Sequence, residues 1–186
     1  NTYSGFTTIA AGTLQVGDGG TSGTLGSSNG VRVDAGATLD IKQSDAFTLS
    51  QSVGGAGSLR QSGSGVTIVT ANNNTYTGGT AITAGTLQIG NGGTAGKILG
   101  DVSTVANSTL AFNLLGPNTF AGAISGGGVV RQSGAGPLTL TGDNTYAGGT
   151  IIDASRTLQV GNEGATGTLG SGPVANDGSL VLKRAG

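Results

Sequence analysis

The chain contains no cysteine, methionine, tryptophan or histidine. Without cysteine there is no disulfide framework and no thiol nucleophile, and without cysteine and histidine no Cys/His zinc site can form. Charge is scarce as well. Eight Lys and Arg face nine Asp and Glu, a net charge of -1, so no field draws in nucleic acid or an anionic membrane. No apolar run approaches the ~20 residues of a membrane-spanning helix, and no signal peptide opens the sequence. Four Phe and three Tyr in 186 residues make for a thin core, which suits a narrow coil better than a globular sandwich.

What is abundant is glycine, 39 of 186 residues, against a usual share of ~7%. Such a chain could be disordered, but its apolar residues are β-branched or Leu and fall at regular places. They fall within a threefold internal repeat. Tyr3-Ser-Gly-Phe-Thr-Thr-Ile-Ala-Ala-Gly-Thr-Leu-Gln-Val-Gly17 returns as Tyr76-Thr-Gly-Gly-Thr-Ala-Ile-Thr-Ala-Gly-Thr-Leu-Gln-Ile-Gly90. It returns again from Tyr146 to Gly161, each copy preceded by Asn-Thr. A period of about seventy residues marks an array of stacked units, expected at roughly 1–73, 74–143 and 144–186, the last incomplete. Because the sequence opens inside a motif, it reads as an excerpt of a longer array.

Within each unit a Thr/Ser-Leu pair recurs, with Val129-Val130 in its place once. The second residues are Leu14, Leu39, Leu59, Leu87, Leu110, Val130, Leu158 and Leu180. Their intervals repeat in pattern: Leu39 to Leu59 and Leu110 to Val130 are the shortest, and Leu59 to Leu87 and Val130 to Leu158 the longest. Those spacings suit turns of a β-solenoid of about 20–28 residues, built from short strands and corners. The eight positions are expected to form one internal ladder, with coils ~4.8 Å apart and a rod of ~38 Å. Alternation supports strands: Tyr76, Gly78, Thr80, Ile82 and Ala84 share one parity, and after Gly85 it resumes at Leu87 and Ile89. Gly12 and Gly85 sit at corners where positive φ is expected. Ser155-Arg156 replaces that single glycine in the third copy, and wider corners recur at Gly36-Ala37 and Asn107-Ser108. The fold class expected is all-β, a parallel β-helix.

The run Gly134-Ala-Gly-Pro-Leu-Thr-Leu-Thr-Gly-Asp-Asn-Thr-Tyr-Ala-Gly-Gly-Thr150, continuing to Thr157-Leu-Gln-Val-Gly161 and Gly167-Thr-Leu-Gly-Ser-Gly-Pro-Val174, resembles the autotransporter-associated β-strand repeat. The resemblance covers nearly the whole chain. It implies a right-handed parallel β-helix in the passenger region of a Gram-negative autotransporter. Such a passenger is displayed at the cell surface and tethered to the outer membrane through a C-terminal barrel outside this segment. It also implies a non-enzymatic stalk that aids secretion and supports adhesion or self-association, with a host-surface or matrix ligand as partner. Phe6 departs from the Gly-Gly pair of the other copies, Val66-Thr-Ile-Val-Thr70 departs in the second, and the corner glycine is lost in the third.

The rival reading is a carbohydrate-active β-helix, a polysaccharide lyase or glycosidase, which needs two carboxyls ~5–9.5 Å apart. The candidates are Asp34 with Asp40 and Asp143 with Asp153. Solvated turn acids are the simpler reading, because Asp153 has Ala10 and Thr83 at its equivalents. Gly17-Asp-Gly-Gly20 faintly resembles a calcium loop, but Gly90-Asn-Gly-Gly93 and Gly161-Asn-Glu-Gly164 keep no carboxylate in register. Thr139-Leu140-Thr141 has the look of an ice-binding face that other coils do not continue. Gly126-Gly-Gly128 lacks the helix and Lys-Ser/Thr of a phosphate loop. Tyr3, Tyr76 and Tyr146 are expected to pack inward, and Arg60-Gln-Ser-Gly with Arg131-Gln-Ser-Gly to be a stacking position or a repeated surface epitope. No catalytic, cofactor-binding or metal residue is expected.

Overall fold

The computed structural model describes residues 3–26 and 29–185. Asn1 and Gly186, the outer limits assigned to the first and last units, lie outside the described residues. Twenty strands of two to four residues and no helix make up the described chain. Every strand pairing is parallel, and partners lie one coil apart in sequence. The interval runs from Leu39 with Leu59 at the shortest to Leu14 with Leu39 at the longest. The molecule is therefore a β-solenoid of about eight turns. A typical coil holds about 21 residues, the separation of Val53 from the Asn74 side chain that bonds it.

Each coil has three sides. The second side stacks Thr13–Val16, Thr38–Ile41, Ser58–Gln61, Thr80–Ile82, Val102–Thr104 and Ile124–Gly126. The third stacks Ala46–Leu49, Val66–Val69, Thr86–Ile89, Thr109–Phe112, Val129–Gln132, Thr150–Ile152 and Val174–Asn176. The first side holds Thr7–Ile9, Val31–Val33 and Val53–Gly54. It is carried on without regular strands near Asn74 and Lys97, and resumes as Asn118–Phe120, Leu138–Leu140, Thr157–Val160 and Ser179–Leu182. Thr75 N–H donates to Val53 O across the interruption. Period-2 alternation sends Leu39, Leu59, Ile82, Leu87, Ile89, Leu110, Val130, Leu140 and Leu158 into one continuous core, all essentially without exposure. Each such side chain contributes about 1.5–3 kcal/mol by leaving water.

The single ladder expected from the Thr/Ser-Leu beat does not form. Leu14, Leu39 and Leu59 do stack on the second side. The residue above Leu59 is Thr80, however, and Leu87 lies on the third side, over Thr67 and under Leu110 and Val130. Leu158 and Leu180 belong to the first side, above Leu138. The interval from Leu59 to Leu87 is thus one whole coil plus one further side, and so is that from Val130 to Leu158. Neither is a coil length, and the true coil falls short of the upper end of the range the beat implied. Each copy of the motif is displaced by one side from the copy before it. The physical reason is parity: every side needs apolar residues only at alternate positions, so the same Thr-Leu-Gln-Val strand fits any of the three.

The corners follow two designs. Gly12 and Gly85, each alone between two strands, have φ of 72° and 58°. The two-residue corners carry a hydrogen bond from Ala37 N–H to Asp34 O, Ser108 N–H to Val105 O and Arg156 N–H to Asp153 O. Their left-handed residues are Gly36, Asn107 and Ser155, at the third turn position where type II geometry requires φ > 0. The Ser155-Arg156 corner therefore keeps the backbone conformation of the lost glycine, and Leu158 and Val160 keep their parity.

Candidate functional site

The candidate acids are all engaged structurally, on different parts of the coil. Asp34 follows a first-side strand and accepts a hydrogen bond from Arg32 Nε at 2.7 Å. Asp40 lies on the second side, 1% exposed, and accepts from Arg60 Nη2 at 2.8 Å across one coil step. That contact holds the Arg60 guanidinium more firmly protonated than usual, chiefly through the hydrogen bond. Asp143 accepts from Gly167 N–H at 3.1 Å, a role that the neutral Asn72 fills for Gly96. Asp153 accepts from Arg131 Nε at 3.0 Å and, through its other oxygen, from Arg131 Nη2 at 3.0 Å.

The glycine loops are equally occupied with their own backbone. Asp18 accepts from Gly20 N–H at 3.0 Å, and Gly19, Gly92 and Glu163 donate to Lys42 O, Asn113 O and Lys183 O of the following coil. Among the described residues no group of three or more acids could hold a metal ion. The outward column through Thr139 reads Thr119, Thr139, Gln159 and Val181, so two threonines do not make an array. Gly126 ends the strand Ile124–Gly126, and Gly127 and Gly128 form the corner before Val129–Gln132.

The repeated motif serves the stack itself. Tyr76 and Tyr146 are buried, and each phenol shares a 2.7 Å hydrogen bond with the threonine four residues on, Thr80 or Thr150. Burial pushes the Tyr76 phenol up to about 12, with the Thr80 bond opposing it, and raises Tyr146 for the same first cause. Tyr3 makes the same contact with Thr7 at 2.9 Å but is exposed, so the inward packing expected of all three holds for two.

Sequence reasoning passed over the amides. Asn74 is buried and joins three successive coils: its Oδ1 accepts from Val53 N–H at 2.7 Å, while Nδ2 donates to Ala71 O at 3.3 Å and Lys97 O at 2.6 Å. Asn144 repeats this with Ile124 N–H, Gly142 O and Thr168 O. These are the places where a regular strand is absent, so the side chain supplies what a ladder bond would have supplied. Gln61 and Gln132 point inward and bind the corner carbonyls of Gly63 and Gly65, and of Gly134 and Gly136. Gln15, Gln88 and Gln159 each donate to the glycine carbonyl two residues on. Their recurrence at fixed motif positions was the available signal. The arginines beside Gln61 and Gln132 face outward on different sides, so they form no common epitope line.

The family described as Passenger-associated-transport-repeat matches residues 1–16, 59–89 and 130–160. Those three stretches match an autotransporter passenger repeat. The two longer matches, in this chain, run over five consecutive sides each, from Leu59 to Ile89 and from Val130 to Val160. Each of these matches therefore covers more than one coil, passes once over the side on which it began, and ends one side further on. A similar protein is the Adhesin BmaC autotransporter of Brucella suis biovar 1 (strain 1330), 52% identical over 58 residues. That match covers 31% of this chain and 2% of the adhesin, so the chain spans a small part of that relative's length. No solved structure matches the chain.

Proposed function

We propose that this chain is a non-enzymatic, extracellular passenger segment of an autotransporter, a β-solenoid stalk that aids secretion and supports adhesion or self-association. The observation carrying this reading is that the repeated polar residues are consumed within the stack, in joining coils and closing corners. Asn74 and Asn144 bond the coils before and after them, Gln61 and Gln132 close corners, and the acids hold arginines or loop amides. A chain emerging from an outer-membrane pore could add one coil at a time to such a template. Each addition buries apolar surface and opposes backsliding. The absence of cysteine suits passage of an unfolded chain.

The parent protein would be anchored by a C-terminal barrel and would meet a host-surface or matrix ligand, or another copy, through its passenger. The printed name of the Brucella relative supports the adhesive part, and nucleic acid is not a partner in this reading. The test is surface display: the chain is fused between a secretion signal and a translocator barrel in a Gram-negative host. Protease-accessible chain at the surface, with increased attachment to host cells or aggregation between bacteria, is expected. Retention of the chain inside the cell would refute the stalk role, and display without attachment or aggregation would refute the adhesive one. Turnover of a polysaccharide panel, abolished by Asp34→Asn or Asp143→Asn, would replace both with the enzyme reading.

A further inference from the structure

Three of the four phenylalanines, Phe47, Phe112 and Phe120, lie in the core; Phe6 is 72% exposed. It stands where the other motif copies have Gly79 and Gly149, so the repeat does not require an aromatic ring there. The ring borders a hollow of about 420 Å³ on the outer face of the first side. Its floor is bare backbone at Gly30, Gly54 and Gly55, where the strands Val31–Val33 and Val53–Gly54 pair. The floor and wall are close: a Cβ at Gly30 would come within 3.1 Å of the Phe6 ring. Asn73 and Thr75 lie along the rim, both exposed.

We propose that this hollow is a binding subsite for a neutral pyranose sugar. A pyranose presents an apolar C–H face and a rim of hydroxyls, and the hollow presents the same two characters in the same order. The Phe6 ring offers a large flat apolar surface, and the glycine floor lets a flat ring approach the sheet. Asn73 and Thr75 provide groups that both donate and accept, as sugar hydroxyls require. Arg32, the charged residue among the described lining, is paired with Asp34 at 2.7 Å, so the pair brings no net charge that would favour an anion. The volume lies within the usual range for small-ligand sites, about 300–1,000 Å³. The inference rests on the adhesive part of the proposed function and names its ligand class.

The experiment titrates the isotopically labelled chain with chitotriose, lactose and cellobiose. A hyaluronan tetrasaccharide and a proline-rich peptide serve as anionic and non-sugar comparators. Saturable amide shifts at Gly30, Gly54 and Gly55 with at least one neutral sugar are expected. Phe6→Gly, which restores the residue of the other copies and leaves the fold intact, should weaken that binding at least tenfold, and Phe6→Trp should preserve it. No saturable shift with any neutral sugar, equal affinity in Phe6→Gly, or shifts with the comparators alone would each overturn the assignment. The same variants in the display assay keep the two ideas apart. Attachment that survives Phe6→Gly removes the sugar subsite from adhesion, whereas lack of attachment by the parent chain bears on the adhesive reading itself.

Discussion

Replacing Gly85 with asparagine separates two reasons for a corner glycine. Asparagine tolerates left-handed φ better than other non-glycine residues, so conformational strain is small and the effect of adding a side chain remains. At Gly85 a Cβ would run into the Gly65 carbonyl oxygen and lie 2.5 Å from that of Gly63. Those atoms belong to the preceding coil, and Gly65 O also accepts from Thr86 N–H at 3.0 Å. Relieving the overlap must push the coils apart. Overpacking of this kind costs about 1–3 kcal/mol, and weakening the Thr86 bond adds about 1 kcal/mol. The expectation for Gly85→Asn is a loss of about 2–4 kcal/mol. At Gly36, φ is 77° but nothing lies within 4 Å of a Cβ, because a two-residue corner swings its left-handed residue clear of the coil beneath. Gly36→Asn should therefore cost less than about 1 kcal/mol, as at any uncrowded surface site. Substituting Ser-Arg for Gly85, after the Ser155-Arg156 corner, should do less harm than Gly85→Asn. Thermal and urea unfolding followed by far-ultraviolet circular dichroism supply the comparison. At about 2–4 °C per kcal/mol for a chain of this size, the difference between the two asparagine variants should exceed the error. Equal midpoints for Gly85→Asn and Gly36→Asn would refute the overlap argument, as would a two-residue corner that proves the more damaging change.

Further predictions follow from the polar contacts. Asn74→Ala leaves Val53 N–H and Lys97 O without their partner and should cost about 2–4 kcal/mol, with faster hydrogen exchange at Val53 than at distant strand amides. Arg60→Ala strands the Asp40 carboxylate, 1% exposed, and should cost about 2–3 kcal/mol. The more open Arg131–Asp153 pair should lose under about 1 kcal/mol on Arg131→Ala, so matched denaturation curves for the two variants should separate. Tyr76 is neutral in both folded and unfolded chains below its ordinary value of ~10, and the folded phenol titrates near about 12. Stability should thus be full below pH ~10 and fall by up to about 3 kcal/mol as pH rises to about 12. Tyr76→Phe should flatten that part of the curve, and phenolate absorbance should lag behind the pH for as long as the chain stays folded.

The sequence by itself determined the strands, their parity and the class of corner. Alternation around Ile82, Leu87 and Ile89 suffices to place an inward face, and a lone glycine between two such segments marks a change of direction. It also fixed the repeat, and with it the resemblance to passenger modules. It did not determine which strand lies above which. Thr-Leu-Gln-Val can occupy any side of a three-sided coil, because each side asks only for alternate apolar residues. Stacking depends instead on how many sides separate two copies, a sum over corners and loops of variable length. Tertiary structure therefore decided that Leu59 meets Thr80 while Leu87 lies one side further on, and that successive motifs wind around the rod. It also decided the roles of Asn74 and Asn144, whose recurrence was plain but whose partners lie a full coil away in sequence. Hydrogen-bond partners one coil apart are fixed by packing, and no local pattern announces them.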